Sequence, residues 1–135
     1  MQTDNHAFMI QPFLYIGSSK DKGRGVFTDK KIGTSRVVEI SPVIVMSGDE
    51  RQLLDQTLLH DYIFVWGEQK DQCCLALGYI SIYNHSFQSN CEYFMDYEAE
   101  TILIKTMRTI EAGEELTINY NGNWNSQEKV WFPVT

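Results

Sequence analysis

With 135 residues, 43% of them hydrophobic and 13% aromatic, the chain is long enough to bury roughly two thirds of the surface its unfolded form exposes, and it is too apolar for a disordered tail. A net charge of −7 with 11 dispersed Lys and Arg residues argues against direct nucleic-acid binding, which needs clustered cations against phosphates; the same acidity suits either a lysine-rich peptide partner or plain solubility. No apolar run reaches the length of a membrane span and the polar start Met1–Asn5 is no secretory leader, so an intracellular protein that is not secreted is expected.

Cys73, Cys74 and Cys91 match no zinc spacing, and neighbouring Cys73 and Cys74 point to opposite faces of a strand. At least one buried, reduced thiol is expected, no metal site, and a reducing compartment.

In chain order, Pro12–Ile16 predicts a short strand ending at Gly17-Ser18-Ser19, and Lys20-Asp21-Lys22 a solvated turn. Gly23 and Gly25 bracket Arg24, forming a loop over which a ligand can lie because no Cβ intervenes. That G-x-G lacks the third glycine and following helix of a dinucleotide fingerprint. Val37–Ile40 and Val43–Met46 are β-branched runs, and Pro42 predicts two pieces or an edge rather than one continuous central strand. Ser47 and Glu50 have capping-box spacing, with Leu53, Leu54 and Leu58 on one face, so a helix is predicted over about residues 48–59. Tyr62–Trp66 reads as a strand with Tyr62, Phe64 and Trp66 on one face, and a polar turn leads to Cys73–Leu77. The apolar stretch from Leu75 to Tyr83, interrupted by Gly78, then delivers Asn84-His85-Ser86 and Asn90-Cys91 onto a loop at the rim of a sheet, where small-molecule sites are built. Glu92–Tyr97 and Thr101–Thr106 form a hairpin around Glu98-Ala99-Glu100, and a turn at residues 110–115 leads into Leu116-Thr117-Ile118. The reading is a single, mostly β domain with one short helix.

Three segments in order, Gly23-Arg24-Gly25-Val26-Phe27, Asn84-His85-Ser86 with Asn90-Cys91, and Gly113-Glu114-Glu115-Leu116-Thr117-Ile118-Asn119-Tyr120, resemble the SET-domain protein-lysine methyltransferases. The resemblance covers a core of about residues 13–124, leaves 125–135 as a C-terminal tail, and is most similar to the minimal SET proteins of large viruses and some bacteria. It implies small sheets around a C-terminal pseudoknot, an exception to the usual unthreaded chain, and methyl transfer from S-adenosylmethionine to a lysine amine in a protein such as a histone.

By the same resemblance, Gly23, Arg24 and Gly25 cradle the cofactor and Asn84 and His85 bind it. Trp124 packs against cofactor or substrate, or else seals the core. Tyr62 lines a lysine channel, carbonyls of the 78–83 segment with Tyr83 face the methyl group, and Tyr120 stands between cofactor and lysine. Trp131 and Phe132 stand either where relatives carry zinc-bound flanks or at a homodimer contact, which the viral relatives favour. Gln88-Ser89 and Asn119 depart from the family pattern without removing a group the reaction requires. The alternative is a silent SET scaffold that binds lysine-rich peptides.

Overall fold

β-branched and aromatic runs separated by glycine-bearing turns become short strands, and a computed structural model, which describes residues 8–20 and 22–120, arranges ten of them in two sheets. The strands are β1 (Met9–Ile10), β2 (Leu14–Ser19), β3 (Gly23–Thr28), β4 (Val37–Met46), β5 (Ile63–Trp66), β6 (Gln72–Ala76), β7 (Asn84–His85), β8 (Cys91–Asp96), β9 (Thr101–Thr106) and β10 (Glu115–Ile118). The first sheet has the order β5-β6-β4-β9-β8 with β1 beside β4; the second runs β2-β3-β10-β7. Fully buried side chains from both, among them Val38, Ile102 and Ile104 of the first and Val26, Leu116 and Ile118 of the second, join Ile80 and Ile110 in one core.

Pro42 does not split β4, contrary to the sequence expectation. The strand is continuous and central because its residues 37–42 pair with β9 while residues 43–46 pair with β6. The proline's missing N–H falls where the strand passes from one partner to the next, so no ladder bond is lost there.

The helix is also shorter than predicted. Ser47 and Glu50 make the expected reciprocal cap, with Ser47 N–H donating to Glu50 Oε1 (2.9 Å) and Glu50 N–H to Ser47 Oγ (3.1 Å). α1 (Gly48–Leu54) then stops, and a separate 3₁₀ turn covers Leu58–Asp61. Thr57 explains the break: its hydroxyl donates to the Leu54 carbonyl (2.7 Å) and accepts from the Leu59 N–H (3.2 Å), closing one turn and capping the next. Leu53 and Leu58 therefore share no buried face and stand exposed. Tyr62 caps the 3₁₀ turn, so the expected Tyr62–Phe64–Trp66 strand face begins at Phe64.

β2 ends within Gly17-Ser18-Ser19 as expected, with all three residues paired, but the G-x-G segment is not a loop; it is the start of β3, with Gly17 opposite Gly25 and Ser19 opposite Gly23. Asn84 and His85 likewise leave the expected rim loop and form a two-residue strand parallel to β10. The β8–β9 hairpin stands as expected, and all three cysteines are free and buried. Among the described residues no helix is long and apolar enough to cross a membrane.

Candidate active site

In β10 the period of two sends Leu116 and Ile118 into the core and leaves Glu115 and Thr117 on the other face. That alternation builds a clasp around β7. Thr117 and Ile118 pair with Asn84 and His85, and Ser86 N–H donates to the Ile118 carbonyl (3.0 Å). Asn90 locks the same junction: its Nδ2 donates to the Glu115 carbonyl (2.8 Å) and its Oδ1 accepts from the Thr117 N–H (2.9 Å). The side chain of Asn90 is buried, so each of these bonds replaces one that water can no longer make.

Glu115 then joins the clasp to the G-x-G strand. It accepts from Ser19 Oγ (2.7 Å) and from Asn84 Nδ2 (2.8 Å), while the same Asn84 amide donates to the Arg24 carbonyl (3.0 Å). Gly25 is the residue that permits this approach, because a Cβ there would collide with the Glu115 carboxylate and lie 3.0 Å from Asn84 Nδ2.

Tyr120 is held at three points. Its N–H donates to His85 Nδ1 (3.0 Å), its carbonyl accepts from the Tyr93 hydroxyl (3.2 Å), and its own hydroxyl donates to the Tyr83 carbonyl (2.6 Å). Phe64 meets its ring edge-on at 6.0 Å. Burial, then the neighbouring Tyr62, Tyr93 and Asp61, pushes the Tyr120 phenol well above its ordinary range, so it stays protonated at neutral pH.

His85 is the opposite case. Burial, helped by the Lys22 ammonium, lowers its pKa to about 4. The ring is neutral at physiological pH, as its role of acceptor at Nδ1 requires. Lys22 itself donates to the His85 carbonyl (3.1 Å).

These groups surround a cleft of about 740 Å³, within the roughly 300–1,000 Å³ of small-molecule sites. Gly23, Arg24 and Asn84 line it together with Tyr62 and Tyr120, so candidates drawn from four separate segments share one opening. Gly25 and His85 support that wall from behind, through Glu115, Asn84 and Tyr120. The Tyr83 ring does not reach the opening. It is fully buried with its hydroxyl on Glu39 (3.1 Å), and it is the Tyr83 carbonyl that meets Tyr120. Trp124, Trp131 and Phe132 lie outside the described residues.

Sequence reasoning missed Ser18, Ser19, Lys22 and Asp61 among the lining residues, and Glu115 behind them, whereas Ser81 and Ile82 belong to the 78–83 segment expected at the site. Only Glu115 carried a usable signal, its alternation with buried Leu116 and Ile118. Ser19 comes close only because the hairpin register sets it opposite Gly23.

Residues 23–121 match the family model described as the SET domain. A Schizosaccharomyces pombe protein named histone-lysine N-methyltransferase, H3 lysine-37 specific, is 35% identical over 125 residues, which cover 92% of this chain and 80% of the relative. A crystal structure from Plasmodium falciparum carrying a provisional histone-methyltransferase name is similar at a TM-score of 0.63 and 30% identity, over 85% of this chain and 98% of that one. The Chaetomium thermophilum Polycomb Repressive Complex 2 bound to GSK126 shares the fold at a TM-score of 0.71 and 23% identity, over 86% of this chain and 16% of that one. With the family match running from the G-x-G strand through Tyr120 and a relative of this identity over nearly the whole chain, the chain belongs to the SET-domain family of protein-lysine methyltransferases, whose methyl donor is S-adenosylmethionine.

Proposed function

We propose that this cleft binds S-adenosylmethionine against Gly23, Arg24 and Asn84, with Gly25 and His85 supporting that wall, and directs methyl transfer onto a lysine of a basic protein tail. Histone H3 is the first substrate to test, because the 35% identical relative is named for a lysine of H3 and the −7 charge suits a lysine-rich tail. The observation that carries the reading is the single cleft shared by Gly23, Arg24 and Asn84 with Tyr62 and Tyr120.

The residues fit the cofactor in size and in chemistry. The cleft volume suffices, the glycine strand offers backbone that a ligand can approach closely, and Arg24, Lys22 and Asn84 supply polar groups for its amino-acid end. When bound, S-adenosylmethionine supplies a methyl group activated by a sulfonium charge.

The protein's work is then alignment and exclusion of water. Tyr120 orients rather than abstracts a proton: its own proton is committed to the Tyr83 carbonyl and its phenol is held protonated by burial. The phenol oxygen keeps acceptor capacity toward the incoming amine. Tyr62 walls the lysine side, and the Tyr83 carbonyl fixes the hydroxyl direction. A free lysine has a pKa of about 10.4; the sulfonium charge and the partly apolar cleft lower it, so the amine can lose its proton to water.

Titration calorimetry with S-adenosylmethionine, with Asn84→Ala as control, followed by mass spectrometry of H3 peptides, tests this. One-site binding lost in the variant and peptides gaining multiples of a methyl mass are expected. Cofactor binding without methylation of any basic peptide would leave the silent, peptide-binding scaffold in its place.

A further inference from the structure

Glu39 is the third residue of β4, fully buried and outside the lining of the cleft. A carboxylate there is costly unless donors replace water, and two of its three donors come from one segment. Tyr79 N–H donates to Oε2 (2.7 Å) and the Tyr83 hydroxyl to Oε1 (3.1 Å); Ser41 Oγ on β4 itself donates to Oε2 (2.7 Å). Gly78, with φ +63°, brings the chain against this group, where a Cβ would collide with Glu39 and Ser41. The carboxylate thus grips residues 78–83 from beneath.

Tyr83 connects that grip to the cleft. Its ring end is bonded to Glu39 and its backbone carbonyl accepts the Tyr120 hydroxyl. Ser81, between them, has its one hydroxyl proton shared between the carbonyls of Tyr62 (2.9 Å) and Ala76 (3.0 Å), so the same segment also sets the position of Tyr62. Movement of residues 78–83 would shift both tyrosines at once.

We propose that Glu39 is a positioning residue for methyl transfer, holding the 78–83 segment so that the Tyr83 carbonyl directs the Tyr120 hydroxyl. The inference rests on the methyltransferase reading of the cleft. Glu39→Met keeps a similar length but offers no oxygen, so the Tyr79 N–H and the Tyr83 hydroxyl both lose their acceptor.

Its kcat is expected to fall about tenfold or more, with the peptide KM and the cofactor Kd within about twofold of the parent's. In a double-mutant cycle with Tyr120→Phe, the second change is expected to add less than about threefold, because both act through one hydroxyl. Losses that multiply, or a KM that rises while kcat holds, overturn the proposal.

A crystal structure of Glu39→Met supplies a readout that needs no activity: the Tyr120 hydroxyl is expected to lose its 2.6 Å bond to the Tyr83 carbonyl, and an unchanged bond overturns the proposal. Should that variant not fold, Tyr83→Phe removes one donor, leaves the carbonyl in place and enters the same measurements. A parent that binds cofactor yet methylates nothing defeats the functional reading alone, since the crystal structure still decides on Glu39.

Discussion

At the scale of single residues, Tyr120 and Gly25 carry different burdens. Tyr120→Phe removes the hydroxyl on the Tyr83 carbonyl while leaving the ring packed against Phe64. It is expected to slow turnover by about 100-fold with cofactor affinity nearly unchanged, as single-turnover rates beside calorimetry would show. Gly25→Ala places a methyl group against Glu115 and Asn84, costing about 1–3 kcal/mol of stability by overpacking and weakening cofactor binding about tenfold or more; urea midpoints and calorimetry read the two separately. His85 makes stability depend on acid. Its folded pKa of about 4 lies below the ordinary 6.5, so the unfolded chain takes up the proton first as pH falls. The contribution is intact above pH 6.5, declines between 6.5 and about 4, and is gone below. Urea midpoints for the parent and His85→Asn are expected to converge over that interval; parallel profiles would remove this role.

Among the elements, the junction of β7 with β10 decides whether the cleft exists. Asn90→Ala leaves the Glu115 carbonyl and the Thr117 N–H without their partner, a cost of about 1–3 kcal/mol for each buried group so stranded. Denaturant melts should show the loss, and hydrogen exchange should place it in β10. This junction was legible in the sequence as residue types, since Asn84, His85, Asn90 and Tyr120 all stand in the recognisable segments, but not as geometry. A two-residue parallel pairing gives no periodicity to read, and Asn84 and Thr117, 33 positions apart, are paired only by the fold. The same holds for β4: Pro42 argues locally for a break, and only the exchange of neighbours from β9 to β6 makes it harmless. Thr57 ends the helix early through a hydroxyl competing for the Leu54 carbonyl, against the leucine spacing that predicted continuation. The β8–β9 hairpin was readable because two alternating runs flank a three-residue polar stretch, which is local information.

For the molecule as a whole, the acidic balance of −7 predicts that a basic peptide is drawn in over distances beyond contact. Its KM is expected to rise several-fold between about 0.01 and 0.15 M salt, as the screening length shrinks from about 30 to 8 Å, while the cofactor Kd changes less. Steady-state kinetics at three ionic strengths measure it, and a flat KM would assign the acidity to solubility. The two sheets also differ in one respect that chemistry can exploit. Cys73 and Cys74 lie on β6 and Cys91 on β8, all buried in the first sheet, and burial raises the thiol pKa of each, that of Cys74 to about 12. The second sheet has no cysteine in its strands. A membrane-permeant alkylating reagent therefore modifies the native molecule only when the first sheet opens, and the labelling rate in a living cell becomes a clock for that opening, readable without purification and blind to breathing of the second sheet around the cleft.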